Sequence, residues 1–105
     1  MIGVIIYVIL QAGHVRPRIR WMARADDYIL ELLDEAGIAA NPSTIGYNTD
    51  YDTSYVSERC RKLSDGGLLV RETEKRAMYS ITDLGRRYVH DELTDDEEAQ
   101  LQDAL

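Results

Sequence analysis

The chain has 105 residues, enough for one domain with a modest core and too few for an enzyme with a cleft between two lobes. Its formal charge of −7, from 19 acidic and 12 basic residues, argues against a nucleic-acid partner until the charges are located. A single cysteine excludes an intrachain disulfide framework and a multi-cysteine metal site, and it favours a reducing compartment.

The acidic charge is concentrated at the C-terminal end. Residues 91–105 contain seven acidic residues and no Lys or Arg, whereas residues 53–76 contain six cations against four acidic residues. Ten of the twelve cations are Arg, and an acid-rich, Lys-poor surface suits a salt-rich cytoplasm, the alternative being an ordinary acidic mesophilic protein. In about 1 M salt the Debye length is about 3 Å, so repulsion between the acidic tail and DNA would be screened.

Residues 1–13 form an apolar run rich in Ile and Val. A membrane span needs about 20 apolar residues, and the run lacks the basic region and cleavage site of a signal peptide, so no anchor is expected. We interpret residues 1–20 as an N-terminal extension. Either it packs on the body or on a partner subunit, or it reflects a start codon assigned too early. We favour the second interpretation, with Met22 as the start, because residues 21–93 already make a complete domain.

Two helices are predicted ahead of the central segment. Apolar residues recur at helical spacing over residues 24–36, and Gly37 ends this first helix. Asn41 is a good N-cap and Pro42 suits a first helical position, so a short second helix is expected over residues 43–47.

The central segment is a third helix, predicted over residues 53–64. Val56, Cys60 and Leu63 recur at i, i+4 and i+7, so they share one face that can be buried. Cys60 is accordingly interpreted as a small buried hydrophobe rather than a redox sensor. The sequence Asp-Gly-Gly at residues 65–67 supplies the positive φ that commonly closes a helix.

Two short strand-like runs follow, at residues 68–72 and 77–81, joined by a charged turn. A helix followed by such a hairpin is the order of a winged helix-turn-helix. The predicted fold class is therefore mainly α with a small β-hairpin (α+β), with the winged helix-turn-helix domain at residues 21–93 and an acidic C-terminal tail or short helix at residues 94–105.

A fourth helix is expected from Leu84 to about Leu93, with Gly85 and the pair Arg86-Arg87 exposed on it. The pair is either a solvated face or a contact with phosphate or a neighbouring subunit. Thr94 and Glu97 have the spacing of a capping box, which predicts one more short helix; the alternative is a disordered tail or a docking element for a dimer partner.

The third helix leaves one polar face free, and an α-helix of this kind fits the major groove of DNA. The side chains of this polar face are expected near base edges, and Arg61 and Lys62 are expected to contact bases or phosphates. The second helix would meet phosphates through hydroxyl groups, which are otherwise simple caps, and the hairpin would hold the backbone through its cations. The candidate DNA-binding residues are Ser43, Thr44, Thr53, Ser54, Tyr55, Ser57, Glu58, Arg61, Lys62, Arg71, Lys75 and Arg76.

Catalytic and metal-binding patterns are missing from the sequence. It contains no nucleophile with a paired base, no glycine-rich phosphate loop and no HExxH motif. His14 and His90 are far apart, with no carboxylate or thiol at ligand spacing. We therefore expect no enzyme activity, no cofactor and no metal.

Several short motifs together carry a family likeness. They are Trp21-Met22, the acidic and leucine-rich run 26–33, Asn41-Pro42-Ser43, Tyr55-Val56-Ser57, Arg59-Cys60, Gly67-Leu68-Leu69 and the run 79–85 with its Thr-x-x-Gly step. This assembly resembles the small haloarchaeal winged-helix regulators related to the halophage phiH repressor, and more distantly the PadR and MarR groups. Two features depart from the pattern: the apolar N-terminal run, and the mixed charge of Glu74-Lys75-Arg76 at the hairpin tip.

The resemblance implies a repressor-like protein that binds double-stranded DNA, usually as a homodimer, in a salt-loaded archaeal cytoplasm. We expect a sequence-specific DNA-binding transcriptional regulator, a repressor, that reads the major groove with helix 53–64 and grips the backbone with the wing at residues 70–81. The alternative is a winged-helix protein–protein interaction module without specific DNA binding. Glu58 on the predicted reading face and the acidic tail favour that alternative.

Overall fold

The computed structural model describes residues 16–73 and 76–105. The described elements are, in chain order, α1 (Arg24–Ala36), α2 (Pro42–Thr49), α3 (Thr53–Asp65), β1 (Leu69–Arg71), β2 (Tyr79–Ile81), α4 (Asp83–Val89) and α5 (Asp95–Gln102). Three helices, a hairpin and two further helices confirm the predicted winged helix-turn-helix architecture. In the described part of the chain, no helix has both the length and the apolar character needed to cross a membrane.

Side chains cap the beginnings of α2 and α3. The Asn41 side chain accepts a hydrogen bond from the Thr44 N–H at 2.8 Å, and Pro42 is the first residue of α2. The Asp52 carboxylate accepts from the Ser54 N–H at 3.0 Å. These bonds satisfy N–H groups that have no partner inside the helix, and each such cap stabilises a helix by roughly 1 kcal/mol. The start of each helix is thus fixed by its own local sequence.

A tight turn joins α2 to α3. Asp50 adopts a left-handed conformation with φ of 63° at the end of α2. A Cβ atom on Gly46 would lie 2.8 Å from the Tyr51 carbonyl oxygen, so only glycine allows this close approach of the backbone. The turn therefore sets the angle at which α3 leaves α2. It follows a second helix that is longer than the predicted residues 43–47.

The core lies between α1, α3 and the hairpin. Val56, Cys60 and Leu63 are each 0% exposed, which confirms the predicted inner face of α3. Burying an apolar side chain of this size stabilises the fold by about 1.5–3 kcal/mol. The buried apolar residues are Ile19, Ala25, Ile29, Leu30, Leu32, Leu33, Ile45, Val56, Cys60, Leu63, Leu68, Leu69, Tyr79, Ile81, Tyr88, Val89 and Leu101.

The hairpin is antiparallel and carries one additional bridge. Its register pairs Leu69 with Ile81, Val70 with Ser80 and Arg71 with Tyr79. Because successive strand residues face opposite sides, Leu69 and Ile81 enter the core while Val70 stays 45% exposed. Ala40, ahead of α2, exchanges two backbone hydrogen bonds of 2.9 Å with Tyr79 and so ties the wing to the helix-turn-helix.

Residues 16–20 pack on the body of the domain. Ile19 is 3% exposed and belongs to the core. The Arg16 guanidinium forms an ion pair with the buried Glu31 carboxylate and donates to the Val89 carbonyl at 3.0 Å. A chain beginning at Met22 would lack these contacts. Residues 1–15 lie outside the described residues, so the interpretation of the apolar run, like the division at residues 20 and 93, stays a prediction.

Helix α4 differs from its prediction in length and exposure. It ends at Val89 instead of about Leu93, because Asp91 turns the chain with a positive φ of 58°. Gly85, predicted to be exposed, is buried because the Leu68 carbonyl oxygen lies where its Cβ would be. Arg87 was also predicted to be exposed, but it is held by Asp83 at 2.9 Å and Glu97 at 2.6 Å.

Helix α5 is docked on the body. The predicted capping box is present: the Thr94 hydroxyl accepts from the Glu97 N–H, and the Glu97 carboxylate accepts from the Thr94 N–H. Leu101 is 3% exposed, and its carbonyl accepts from the Trp21 indole N–H at 2.7 Å. The Gln102 amide donates to the Arg18 carbonyl at 2.5 Å. Most of the acidic tail is therefore an ordered helix.

Candidate nucleic-acid interface

Helix α3 offers a polar line to solvent. An α-helix turns by about 100° per residue, so Ser54, Glu58 and Arg61 stand opposite the buried face that contains Val56 and Cys60. All three polar side chains are exposed. One serine, one carboxylate and one guanidinium can donate to and accept from base edges, which makes this line the best-placed reading surface on the helix.

A groove runs beside this line, on the side of α2 and the wing. Its volume is about 570 Å³, and it is lined by Asn41, Pro42, Ser43, Thr53, Ser54, Ser57, Arg61 and Ala77. Four hydroxyl groups and one guanidinium therefore face the same space, next to the N-terminal end of α2. Hydroxyl donors, Arg and a helix N-terminus are the groups that hold DNA phosphates. The groove thus brings together five of the predicted DNA-binding residues.

Two of the predicted residues lie on the other side of α3, towards α1. Tyr55 is 37% exposed, and its ring centroid lies 6.0 Å from that of Tyr51. Lys62 is exposed and follows Tyr55 by seven residues, so it shares the same stripe. Thr44 is exposed on α2 but is not among the residues that line the groove. The predicted site therefore divides between two flanks of α3.

Arg59 is one of the six cations counted over residues 53–76, but it does not contribute to the exposed positive charge. It is 7% exposed and forms two hydrogen bonds with Asp26, Nε to Oδ1 at 2.8 Å and Nη2 to Oδ2 at 2.6 Å. A third hydrogen bond joins Nη2 to the Trp21 carbonyl at 3.0 Å. The hydrogen bonds with Asp26 raise the pKa of Arg59. Arg59 thus anchors α3 to α1 instead of facing DNA.

The wing carries exposed cations close to its tip. Arg71 is exposed on β1, and its Nε donates to the Thr73 carbonyl at 3.1 Å. Arg76 is exposed on the other side of the turn, where its N–H donates to the Thr73 hydroxyl at 3.0 Å. Glu74 and the predicted contact Lys75 lie outside the described residues. Among the described wing residues, Arg71 and Arg76 are therefore exposed cations on either side of the hairpin turn.

The acidic helix α5 docks at the opposite end of α3 from the groove. Gly66, directly after α3, lines a small pocket together with Glu97, Leu101 and Ala104. From Ser54 to Gly66 the helix rise amounts to about 18 Å. From Arg61, at the near end of the groove, to Gly66 the rise is only about 8 Å. The Debye length at physiological ionic strength is about 8 Å, so these acidic charges are largely screened at the Ser54 end of the groove and only partly screened at Arg61.

These features define a winged helix-turn-helix domain with an exposed recognition helix. Over residues 15–100 the chain matches the family described as "Winged helix-turn-helix phage repressor", and it belongs to that family. It is similar to the "Repressor protein" of Halobacterium phage phiH, with 42% identity over 81 residues, which cover 75% of this chain and 91% of the relative. No solved structure matches. The predicted resemblance is confirmed, and membership of a repressor family indicates a non-enzymatic, DNA-binding regulator.

One exposed cation of α1 was not among the predicted DNA-binding residues. Arg24, the first residue of α1, is exposed and lies next to the Tyr28 hydroxyl, which raises the pKa of Arg24. Periodicity identifies α1 only as a core helix and says nothing about which residues of other elements lie beside its first turn. The tyrosines at positions 28, 51 and 55 were the available signal, but their proximity depends on the turn between α2 and α3.

Proposed function

We propose that the protein is a sequence-specific transcriptional repressor that reads the major groove with α3. The observation that carries the proposal is the exposed line Ser54, Glu58 and Arg61 beside a groove lined with hydroxyl groups. In this arrangement Arg61 donates two parallel bonds to a guanine, and Glu58 accepts from the amino group of a cytosine. Ser43 and Ser57 contact phosphate, and Arg71, Lys75 and Arg76 hold the backbone through the wing.

We further propose that the protein binds as a homodimer. One domain presents one recognition helix and one wing, which covers a single half-site of DNA. Two copies related by a twofold axis would read two half-sites about one helical turn apart. Sedimentation across a concentration series, with and without DNA, tests this: a monomer at every concentration, bound singly to its site, contradicts it.

We place this activity in a salt-rich archaeal cytoplasm. The similar repressor comes from a phage of Halobacterium, and the chain is acidic and Lys-poor in the way expected of proteins that work in concentrated salt. Stability and DNA binding that persist as potassium chloride rises into the molar range support this setting. Loss of the folded state at high salt would count against it.

The decisive experiment is fluorescence anisotropy of the full chain with labelled DNA. A fragment from upstream of its own gene is compared with a scrambled duplex of the same composition across a potassium chloride series. Preferential binding to the upstream fragment that survives high salt supports a specific repressor. Equal and weak binding to both duplexes, lost as salt rises, indicates only non-specific attraction to phosphate and favours the protein-interaction alternative.

Arg61 provides the sharpest test of the recognition surface. A bidentate contact between Arg and guanine is worth about 1–3 kcal/mol of discrimination, so Arg61→Ala is expected to lose that much and to relax preference at one base position. Arg86→Ala is a matched control, since it removes an exposed arginine from α4. Unchanged affinity and base preference in Arg61→Ala would show that the reading surface is wrongly assigned.

A further inference from the structure

Three tyrosines form a continuous cluster between α1 and the start of α3. The ring centroids of Tyr28 and Tyr51 are 6.1 Å apart, and those of Tyr51 and Tyr55 are 6.0 Å apart. Both pairs are tilted, within the distance range of favourable aromatic contacts. We call Tyr28, Tyr51 and Tyr55 the tyrosine cluster. It connects the second turn of α1 to the first turn of α3.

Arg24 extends this cluster to solvent. It is exposed and lies one helical turn before Tyr28, so the two side chains share one face of α1. Tyr28 raises the pKa of Arg24. A guanidinium carries five N–H donors in a planar fork, so one hydroxyl leaves most of them available to another group. Arg24 is therefore an exposed cation beside the tyrosine cluster.

Among the described residues, no carboxylate forms an ion pair with Arg24. Asp26, two residues along α1, is 0% exposed and is bound to Arg59. The Asp52 carboxylate is engaged as the N-cap of α3. Asp27 is half-buried and accepts from the Tyr88 hydroxyl at 2.7 Å. Asp50, at the end of α2, is exposed, so the turn ahead of α3 carries two charged carboxylates, Asp50 and Asp52.

The two flanks of α3 differ in the side chains that they present. The groove with Ser43 and Ser57 lies on the side of α2 and the wing, while Tyr55 and Arg24 lie on the side of α1. The major groove is about 12 Å wide and is bordered by a phosphate backbone on each side. A helix that enters it meets both backbones. The α1 flank therefore needs donors of its own.

We propose that Arg24 and the tyrosine cluster form a second phosphate-binding surface, which holds the DNA backbone on the α1 side of the recognition helix. Arg24 donates two bonds to one phosphate, and the half-exposed Tyr55 hydroxyl donates to the same backbone. The contact is independent of base sequence and fixes the orientation of α3 in the groove. This inference rests on the proposed DNA-binding function and adds a contact that the predicted wing and α2 residues do not include.

The test compares two full-length variants that remove the same charge. Arg24→Gln removes the proposed contact, and Arg86→Gln removes an exposed arginine on α4, which lines a different surface together with Ile38 and Glu72. Both are titrated by anisotropy against the duplex that the wild type selects from a randomised pool and against a scrambled duplex. The titrations are repeated across a potassium chloride series. Urea unfolding of each variant checks that the fold is intact.

We expect Arg24→Gln to weaken binding to both duplexes by the same factor and to lower the slope of log K against log salt by about 0.9, the value for one phosphate. Arg86→Gln should leave the slope unchanged. Phosphate ethylation then locates the contact: Arg24→Gln loses sensitivity at a backbone position that a Ser43→Ala variant retains. Equal slopes for the two arginine variants, or an ethylation pattern for Arg24→Gln identical to the wild type, would overturn the inference.

The failure of the proposed function gives a different result. If the wild type binds the selected and scrambled duplexes equally, sequence-specific repression is wrong, yet the difference in salt slope between the two variants still tests the Arg24 contact. If the wild type binds no duplex at any salt concentration, both proposals fall together. A wild type that discriminates, with matched slopes in the two variants, contradicts only the Arg24 contact.

Discussion

Replacing Arg59 with Met is expected to destabilise the fold by about 3–5 kcal/mol, because it leaves a buried carboxylate without its partner. Asp26 is 0% exposed and receives two hydrogen bonds from Arg59, so the Ala23 N–H at 2.9 Å is the one that remains. The substitution also removes the bond from Arg59 to the Trp21 carbonyl. Since small domains are stable by only about 5–15 kcal/mol, the loss is large enough to measure easily.

The assay is equilibrium urea unfolding followed by far-ultraviolet circular dichroism. Arg61→Met is the matched control, because it makes the same chemical change two residues away on the exposed face of α3, where substitutions usually alter stability by about 0.5 kcal/mol or less. If Arg59→Met cost no more than Arg61→Met, Arg59 would not anchor α3 and the reasoning would be refuted.

A double variant separates the cost of the broken pair from the worth of the pair itself. Replacing both Asp26 with Leu and Arg59 with Met removes the charges together, and such replacements are often neutral or stabilising by about 1–4 kcal/mol. We expect this variant to fold but to bind DNA less selectively, because two directional bonds that fix α3 on α1 are exchanged for non-directional contacts. Wild-type selectivity in the double variant would show that the pair does not orient α3.

Three further predictions concern other parts of the fold. Deleting residues 1–20 should lower the free energy of unfolding by at least the burial of Ile19, about 1.5–3 kcal/mol, and an unchanged urea midpoint would contradict this. Arg87 lowers the pKa of Glu97 from 4.5 to about 2, so this stabilisation is complete above pH 4.5 and is lost as the pH falls towards 2. Fluorescence of the single tryptophan should report the release of α5 over that interval, and no change would count against the docking. Burial raises the pKa of Cys60 to about 12, so native protein at pH 8 should react with iodoacetamide only as fast as it unfolds; rapid labelling would show an accessible thiol.

Features that depend only on residues close in sequence were predictable. The caps at Asn41 and Thr94 each bind an N–H three residues ahead, so their sequence position is enough to locate the helix starts. The inner face of α3 was predictable for the same reason, because 3.6-residue periodicity is a local property. The hairpin followed from two short apolar runs separated by a charged turn.

Features that depend on distant partners were not predictable. Arg59 precedes the buried Cys60 and lies at the edge of the apolar face, but its partner Asp26 is 33 residues away, so the sequence left it among the exposed cations. Gly85 was misplaced because its burial depends on the Leu68 carbonyl oxygen of a different element. Residues 16–20 were interpreted as part of an N-terminal extension, but they contact α1, α4 and α5, and Ile19 belongs to the core.

The position of α5 explains how a chain with a charge of −7 can hold DNA. Docking through Arg87 and Trp21 keeps the acidic helix beside Gly66. At physiological salt this is roughly two Debye lengths along α3 from Ser54, at the far end of the groove, and roughly one from Arg61, at its near end. The repulsion between α5 and DNA therefore acts mainly while DNA approaches at low salt. As the salt concentration rises, this repulsion weakens sooner than the close contacts with phosphate do. Added salt relieves this repulsion while it competes for the contacts, so the salt slope of the wild type falls short of the number of phosphates bound. Arg24→Gln and Arg86→Gln change the net charge equally, so the repulsion affects both variants equally. The difference between their salt slopes therefore reports the phosphate contacts that are lost.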